Sequence, residues 1–376
     1  MLDAAKQIDI NKLRNTLHNM PETGFNLPKT KAFVKDTLES FGLQPSNCGE
    51  GIVATVGQGK KTILLRADMD ALPFQNENIH ACGHDMHTAM LLAAVKLLKQ
   101  QENELAGKVK FAFQPAEETL EGAKNMIDNG LLEDVDAAVM IHVISALPFK
   151  TGTVILPAPD VCAPSADFFT ITINGKSAHG STPWNGIDSL SVAAHTILAL
   201  QTMISTESPS YANAVLTFGS VNGGHASNII CDKVTLCGTL RCYDNVVRDA
   251  LKKRINQISE FVALAFRAVA TVKFDSGCPA FVNNDSLCDI VECAASSIFY
   301  KNLMVKASSL PKGSGSEDFA YVSCKVPSVM VVMAAGDCNN GYTYPQHHPR
   351  VRFDSDALPY GAALYAQIAK QWLELK

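Results

Sequence analysis

The sequence predicts an α/β protein with a mostly parallel sheet, interrupted in mid-chain by a smaller α+β two-layer sandwich. Apolar strand candidates alternate with helical patterns from the start, the pattern changes to period two near residue 164, and α/β alternation returns near residue 277. A chain of 376 residues is also long for a single core. We therefore expect one domain formed by residues 1–163 plus 277–376 and an inserted domain formed by residues 164–276.

Strand and helix patterns alternate along the first part of the chain. Several of the strand candidates are continuous apolar runs, which is typical of strands buried on both faces of a parallel sheet. A helical pattern at 9–42, broken by turn-forming residues, comes first. Strands are expected at 51–57, 61–71, 107–118 and 136–143, with helices at 87–99 and 122–129.

The inserted segment has the order βαββαβ, which is typical of a two-layer sandwich with its helices on one face. Its strands are expected at 166–180, 213–224, 233–244 and 270–277, and its helices at 186–204 and 246–267. The α/β pattern then resumes with a helix at 285–299, a buried strand at 325–336 and a closing amphipathic helix at 354–376.

Composition narrows the class of protein. The net charge is −5 and no Lys/Arg-rich block is present, so neither nucleic acid nor an anionic membrane is an expected partner. No apolar run approaches the length of a membrane span, and the N-terminal segment has the pattern of neither a signal peptide nor a transit peptide. The 11 scattered cysteines indicate reduced thiols and hence a cytoplasmic protein.

Polar residues able to bind a metal follow the predicted strand ends, where ligands bind in α/β sheets. They are Asp68 and Asp70, Cys82 with His84, Glu117 with Glu118, His142, and His347 with His348. Cysteine, histidine and glutamate together suit Zn²⁺ or a related divalent ion. Taken singly, each has an ordinary structural role, such as a buried cysteine or a carboxylate in a first helical turn. We favour a metal site because every cluster coincides with a predicted strand end.

The adjacent glutamates suit a division of labour, in which one carboxylate binds metal and the other takes a proton from an activated water. A nucleophilic Cys82, activated by His84 or His87, is the alternative. That alternative leaves the glutamate pair and His347 without a function.

The motifs resemble those of a known family. "HACGHD", "FQPAEET", "GKSAHGSTP", "GSEDFAYV" and "YPQHHPRVRF" occur in the order found in the aminoacylase–carboxypeptidase family of metallohydrolases. The chain is most similar to its amidohydrolase branch, which includes hippurate hydrolases, IAA-amino acid hydrolases and N-acetyldiaminopimelate deacetylases. The resemblance covers nearly the whole chain. It implies a metallopeptidase-like catalytic domain and an inserted domain that serves as a lid and dimerisation domain.

The resemblance also implies a metal centre. Two divalent ions are expected, Mn²⁺ or Zn²⁺, with Co²⁺ or Ni²⁺ as further candidates. Their ligands by this resemblance are Cys82, His84, Glu118, His142 and His347. Cys82 is the candidate for a ligand that bridges both ions.

Four further residues match functional positions of the family. Glu117 matches the general base, and His179 matches a histidine that polarises the scissile carbonyl. Asn228 and Arg241 match positions that hold the substrate.

Asp70, Asp85 and His87 are expected to orient the ligands or to cap the helix that carries them. The chain departs from its relatives at several places, among them Met86, where glycine or alanine is common, and the cysteines of "HASNIICD" and "CGTLRCYD". The segment 74–79 is shorter than usual, so the shape of the pocket is expected to differ, and Gln346 stands where an apolar residue is usual.

We therefore expect a metal-dependent amidohydrolase of the aminoacylase or N-acyl-amino-acid hydrolase type. It would cleave an N-acyl (acetyl, benzoyl or similar) amino acid, or a small peptide-like amide, by attack of metal-activated water with Glu117 as general base. The expected partners are the small-molecule substrate and a second copy of the chain, bound through the inserted domain. The alternative is a catalytically impaired relative that binds amino-acid derivatives.

Overall fold

The computed structural model describes residues 1–375, and the chain separates into two compact units. The first unit comprises Met1–Cys162, Val282–Lys312 and Asp318–Lys376, and the second comprises Ala163–Phe281 and Gly313–Glu317. Within the described range, none of the helices combines the length and apolar character that crossing a membrane requires.

The secondary structure contains eighteen strands and ten α-helices over residues 1–375, apart from short 3₁₀ turns. The helices are α1 (Leu2–Lys6), α2 (Ile10–His18), α3 (Pro28–Ser40), α4 (His84–Gln100), α5 (Gly122–Asp128), α6 (Ser189–Glu207), α7 (Asn245–Ala265), α8 (Asp285–Ile298), α9 (Ala320–Ser323) and α10 (Leu358–Glu374). The strands are β1 (Ser46–Cys48), β2 (Gly51–Gly57), β3 (Thr62–Asp68), β4 (Leu72–Phe74), β5 (Glu77–Ile79), β6 (Lys108–Gln114), β7 (Ala137–Ile144), β8 (Val154–Leu156), β9 (Val161–Ala163), β10 (Ala166–Asn174), β11 (Ala178–His179), β12 (Val215–Gly223), β13 (Ile229–Ile230), β14 (Lys233–Arg241), β15 (Val269–Cys278), β16 (Phe281–Val282), β17 (Met304–Lys306) and β18 (Ser328–Ala334).

An eight-stranded sheet organises the first unit, in the order β1-β2-β6-β3-β7-β18-β8-β17. Its centre, from β6 through β3 and β7 to β18, is parallel, and antiparallel pairs flank it at β2–β6 and β18–β8. Every residue of β3 is buried, as expected for a strand covered on both faces. The predicted α/β class with a mostly parallel sheet is confirmed.

Helix α4 is almost entirely buried within the first unit. It begins three residues before the predicted start, directly after Gly83, whose φ of +91° lies in the left-handed region that glycine adopts without strain. A Cβ at this position would also lie 2.7 Å from Cγ2 of Val143. Glycine is therefore required at the point where the chain turns from the Cys82 segment into the helix.

The second unit contains a four-stranded antiparallel sheet in the order β12-β14-β10-β15. Buried and more exposed residues alternate along β14, because α6 and α7 pack on one face only. Each helix is preceded by an aspartate at the N-cap position, Asp188 or Asp244, whose side chain accepts a hydrogen bond from a first-turn N–H. The βαββαβ sandwich predicted from period-two patterning is confirmed.

The boundaries of some elements differ from the sequence expectation. The strand expected at 107–118 ends at Gln114, since Ala116 has a φ of +55° and turns the chain before the glutamate pair. The short hairpin β4–β5, with Gln75 at φ +50°, was not predicted. The closing helix begins at Leu358, and the expected end at residue 376 lies outside the described residues.

Candidate metal centre

The site forms where two central strands diverge. The parallel pairing of β3 with β7 ends at Arg66 and Met140. Beyond that point the hydroxyl of Tyr365, from α10, donates to Arg66 O at 2.7 Å and accepts from the N–H of Ile141 at 2.7 Å. The inserted hydroxyl bridges the separating strands, so their carboxyl ends bound a crevice, the usual ligand position in such sheets.

His84 offers one free ring nitrogen to this crevice. Its Nδ1–H donates to Asp70 O at 2.9 Å, which leaves Nε2 as the ligand atom. Nε2 lies 3.7 Å from Oε1 of Glu118, and both atoms are buried. Neither has a hydrogen-bond partner of ordinary geometry among residues 1–375. Buried polar atoms without partners are rare in native proteins, so these two atoms suit coordination of a cation.

His142 is oriented in the same way at the end of β7. Its Nδ1–H donates to Val143 O at 2.8 Å, and its Nε2 lies 3.7 Å from the sulfur of Cys82. The lone pair of Nε2 is therefore directed towards the thiol of Cys82, which lies two residues before the start of α4.

His347 approaches from the other end of the chain. Its Nε2 lies 3.6 Å from Oε1 of Glu118, and its backbone N–H donates to Ala81 O at 2.9 Å. Its φ is +64°, in a left-handed conformation that is uncommon for a residue with a side chain. Strained backbone of this kind concentrates at functional sites.

Of the groups of three potential ligand atoms within residues 1–375, two consist only of predicted ligands. Cys82, His84 and His142 form one group, and Cys82, Glu118 and His347 form the other, with all atoms in each group within 4.8 Å of one another. Thiolate, imidazole and carboxylate are the ligand types that Zn²⁺ and similar divalent ions take. The residues therefore fit a divalent metal centre, and the two groups share the Cys82 sulfur.

Glu117 lies beside these groups. The side chain is buried, its Oε2 lies 4.0 Å from His84 Nε2, and its Oε1 accepts from the N–H of Asp318 at 3.4 Å. The backbone N–H of Glu118 donates to Asp70 Oδ2 at 3.1 Å, which fixes the turn that carries both glutamates. A buried carboxylate held by a backbone N–H near the ligand atoms can accept and return a proton.

Burial shifts the pKa of three of the proposed ligands. Burial, with smaller contributions from Asp70 and Asp68, raises the pKa of Glu118 to about 7. Burial likewise raises the pKa of the Cys82 thiol and lowers the pKa of His142 to about 3. Each group thus favours its neutral form, because burial disfavours the charged form. A divalent cation at this site would favour the deprotonated thiol and carboxylate.

A network of buried charged and polar side chains lies next to the proposed ligands. His87 accepts from the N–H of Val143 through Nε2 at 2.9 Å and donates through Nδ1 to Asp68 at 2.6 Å. Arg66 binds the second oxygen of Asp68 at 2.8 Å and Oδ1 of Asp318 at 2.9 Å. Burial alone would raise the pKa of Asp68, but His84, His87 and Arg66 hold it well below the usual range.

Arg66 and Asp318 were missed as site residues at the sequence level. An arginine inside an otherwise apolar strand was the available signal, because a buried charge requires partners. Asp70 and His87 have contacts that fit the expected support of the ligands, through His84 and through the strand of His142 respectively.

Asp85 has different partners from those expected. Its Oδ2 accepts from Arg14 Nε at 3.0 Å and from His18 Nδ1 at 2.8 Å, so this carboxylate ties α4 to α2. The N-cap position of α4 is occupied by Gly83, without a side-chain cap. His80, which has no assigned function, is buried beside this cluster, with its ring 6.0 Å from that of His18.

The remaining expected residues lie in the second unit. His179 is exposed on β11, which pairs with β13, and its Nδ1 lies 2.8 Å from Ser181 Oγ. Asn228 is adjacent to it, since its carbonyl oxygen accepts from Gly180 N–H at 2.7 Å. Arg241 ends β14 and donates to Ser316 Oγ at 2.7 Å.

Comparison with known proteins identifies the family. The profile of the peptidase family M20/M25/M40 matches residues 64–371. N-acetyl-L-cysteine deacetylase of Bacillus subtilis (strain 168) is 34% identical over 378 residues, covering 96% of this chain and 88% of the relative. IAA-amino acid hydrolase ILR1-like 2 of Arabidopsis thaliana is 34% identical over 383 residues, covering 97% and 85%.

A solved structure adds the metal content of a relative. The Bacillus subtilis YXEP protein, described as a dinuclear metal binding peptidase from the M20 family, superposes with a TM-score of 0.81 at 28% identity, covering 99% of both chains. Family profile, curated relatives and ligand groups agree with one another. The chain therefore belongs to the peptidase family M20/M25/M40, as its motifs predicted, and is a metal-dependent amidohydrolase.

Proposed function

We propose that this chain hydrolyses the amide bond of an N-acyl amino acid or a small peptide-like amide at a two-ion centre. Cys82, His84, Glu118, His142 and His347 are the proposed ligands. The observation that carries the proposal is the pair of three-atom groups that share one sulfur. The two relatives are an N-acetyl-L-cysteine deacetylase and an IAA-amino acid hydrolase, which supports an N-acyl amino acid as the substrate class.

The proposed ions are Zn²⁺ or Mn²⁺, and Cys82 would be a ligand available to both of them, because its sulfur belongs to both groups. When bound, divalent ions supply Lewis-acid chemistry, since they polarise a carbonyl and lower the pKa of water towards roughly 7. Thiolate and imidazole ligands favour Zn²⁺, whereas Mn²⁺ prefers oxygen. Metal analysis of the purified protein distinguishes the two.

Glu117 is the proposed general base. Its carboxylate takes a proton from the attacking water while the water oxygen bonds to the acyl carbon. The same carboxyl group then returns the proton to the leaving nitrogen as the carbon–nitrogen bond breaks, giving a carboxylate and an amine. Burial of Glu117 and the N–H donated by Asp318 support this function, because they hold the carboxyl group in place beside the proposed ligands.

His179, Asn228 and Arg241 are proposed to act on the substrate. An exposed imidazole such as His179 can donate a hydrogen bond to the developing oxyanion, an interaction that contributes about 2.7–4 kcal/mol per donor. Asn228, next to the His179 segment, and Arg241, which can pair with a carboxylate, are proposed to hold the amino-acid portion.

A homodimer through the second unit is also proposed. Strand β12 is an edge strand with Val215 and Val221 exposed, and the neighbouring α6 exposes Leu190 and Leu198. An open edge beside apolar helical residues suits pairing with a second copy. We further propose a cytoplasmic location, which the buried free thiols of Cys48, Cys231 and Cys288 support.

A substrate panel with added metal tests the proposed function. Metal-free protein is supplied with Zn²⁺, Mn²⁺ or Co²⁺ and incubated with acetyl, benzoyl and indole-acetyl amino acids, while release of the free amine is measured. The expected result is metal-dependent turnover of at least one of these substrates. Binding of these compounds without turnover under every metal would instead support the alternative of a catalytically impaired binder.

The proposed base has its own test. Glu117→Gln is expected to lower kcat by roughly 10²–10⁴-fold, the typical contribution of general acid–base catalysis, with metal content unchanged. A metal-replete Glu117→Gln protein with normal turnover would contradict the assignment.

A further inference from the structure

Gln346, the residue before His347, forms a side-chain hydrogen bond with β7, the strand that carries His142. Its side-chain Nε2 donates to Val143 O at 3.0 Å. The same oxygen accepts from His142 Nδ1 at 2.8 Å, the contact that fixes the ring orientation of His142. A carbonyl oxygen has two lone pairs, so these two donors satisfy it completely. The side chain next to His347 therefore shares an acceptor with His142.

The backbone of His347 needs such support. Its φ of +64° is unfavourable for a residue with a Cβ, so the loop adopts this conformation only where contacts hold it. One contact is the hydrogen bond from His347 N–H to Ala81 O, next to Cys82. The other is the Gln346 side chain on Val143. Together they attach the loop to the two chain segments that carry Cys82 and His142.

We propose that Gln346 is a positioning residue that couples the two ligand groups, keeping His347 in reach of Glu118 while His142 stays oriented towards Cys82. The inference rests on the proposed ligand set. Its effect is asymmetric, because His142 keeps its own hydrogen bond to Val143 O when Gln346 is changed, whereas His347 loses one of its two anchors. The group that contains His347 should therefore weaken most.

The test compares metal binding rather than activity. Gln346→Met keeps the length of the side chain but removes the donor. Metal-free wild type and Gln346→Met are titrated with Zn²⁺ against a chromophoric chelator, and with Co²⁺ while the visible absorption spectrum is recorded. Thermal unfolding of both metal-free proteins is measured in parallel.

Asn283→Ala is the matched control. Asn283 is buried in the same unit, and its amide Nδ2 donates to a backbone carbonyl, Ala158 O, at 3.1 Å, but that carbonyl lies outside β7, the strand that carries His142. This variant is expected to lower the unfolding temperature while both metal equivalents bind as in wild type.

The expected result for Gln346→Met is a first equivalent bound within about threefold of wild type and a second bound at least tenfold more weakly. The Co²⁺ spectrum of the second equivalent should change as well. Two unchanged equivalents would overturn the inference. Equal weakening of both, with a loss of thermal stability like that of Asn283→Ala, would show a merely structural function and also overturn it.

If the proposed ligand set is wrong, the metal titration of wild type gives a different result. Wild type that binds no divalent ion contradicts the proposed centre itself, and the inference about Gln346 falls with it. Wild type that binds only one equivalent leaves the centre standing with one ion but overturns the coupling between two groups.

Discussion

The Nε2 of His84 lies 3.7 Å from Oε1 of Glu118, and both atoms are buried without a hydrogen-bond partner of ordinary geometry in the described range 1–375. An unsatisfied buried polar atom costs roughly 1–3 kcal/mol, so an arrangement with two of them is unfavourable unless something else satisfies both. His84 forms a three-atom group with Cys82 and His142, Glu118 forms one with Cys82 and His347, and these two groups have the Cys82 sulfur in common. That sharing leads to the first prediction.

Removal of the shared ligand should affect both ions, whereas removal of His347 should affect one. Cys82→Ala is expected to weaken both metal equivalents by more than the roughly 10–100-fold that loss of a supporting residue costs. His347→Ala should retain one equivalent near wild-type affinity. Metal titration of the two variants gives the stoichiometry. Retention of a tight equivalent by Cys82→Ala would contradict a shared sulfur.

Metal affinity should rise with pH. Burial raises the pKa of the Cys82 thiol and raises that of Glu118 to about 7, so the metal-free protein holds protons that a cation must displace. Raising the pH removes this competition. We expect the apparent affinity to increase by roughly tenfold per pH unit for the thiol proton, and more steeply below pH of about 7, where Glu118 also releases one. Chelator competition between pH 6 and 8 measures the slope, and a flat profile would contradict the shift.

Loss of Arg66 should destabilise the first unit. Arg66 is buried and pairs with both Asp68 and Asp318, so Arg66→Met removes the guanidinium group that both buried carboxylates bind. Breaking a buried pair from one side typically costs about 3–5 kcal/mol. The unfolding temperature of the metal-free protein measures this loss.

Arg254→Met is the control for that experiment. Arg254 pairs with Glu207 on the exposed surface of the second unit, where ion pairs add little, and its replacement should leave the unfolding temperature unchanged within error. Equal stability of the two variants would mean that the Arg66 network contributes nothing measurable.

The Asp85 cluster should stabilise the fold in a pH-dependent way. Burial alone would raise the pKa of Asp85, but the hydrogen bond from His18 and the charges of His80 and Arg14 hold it below the usual range. A lowered pKa gives stability that is present above the carboxyl pKa of the unfolded chain, about 4, and is lost as pH falls towards the folded value.

Asp85→Asn tests this sign. The variant is expected to be less stable than wild type near neutral pH, by roughly 1–3 kcal/mol, with the difference shrinking as pH falls below about 4. Unfolding of the metal-free proteins is followed from pH 3 to 7, with the exposed Asp128→Asn as control. A difference that stays constant with pH would show that charge is not the cause.

Local patterning explains how much of the fold could be predicted. The strand at 51–57 coincides with β2, and the βαββαβ order of the second unit followed from period-two alternation, because burial on one face is encoded in neighbouring residues. Boundaries shifted where a single backbone conformation intervened, as at Gly83 and Ala116. Such conformations depend on contacts with distant residues and leave a weak trace in sequence.

For the candidate site as well, some features could be predicted from local sequence and others could not. The family and the amidohydrolase function were predicted correctly from motifs, because the chemistry needs fixed residue types at fixed positions. The assignment of Asp85 to ligand support did not anticipate its contacts with Arg14 and His18, since nothing in the local pattern indicates which helix packs against α4.

The sequence by itself determined the order of strands and helices, the ligand types available at the strand ends, and the family. Only the tertiary structure decided which of those side chains meet. Arg66 binds Asp318 across 252 positions, and Gln346 reaches Val143 across 203. The physical reason is that periodicity reports which face of an element is buried, whereas the partner across that face is set by long-range packing, here by the divergence of β3 from β7 around the hydroxyl of Tyr365.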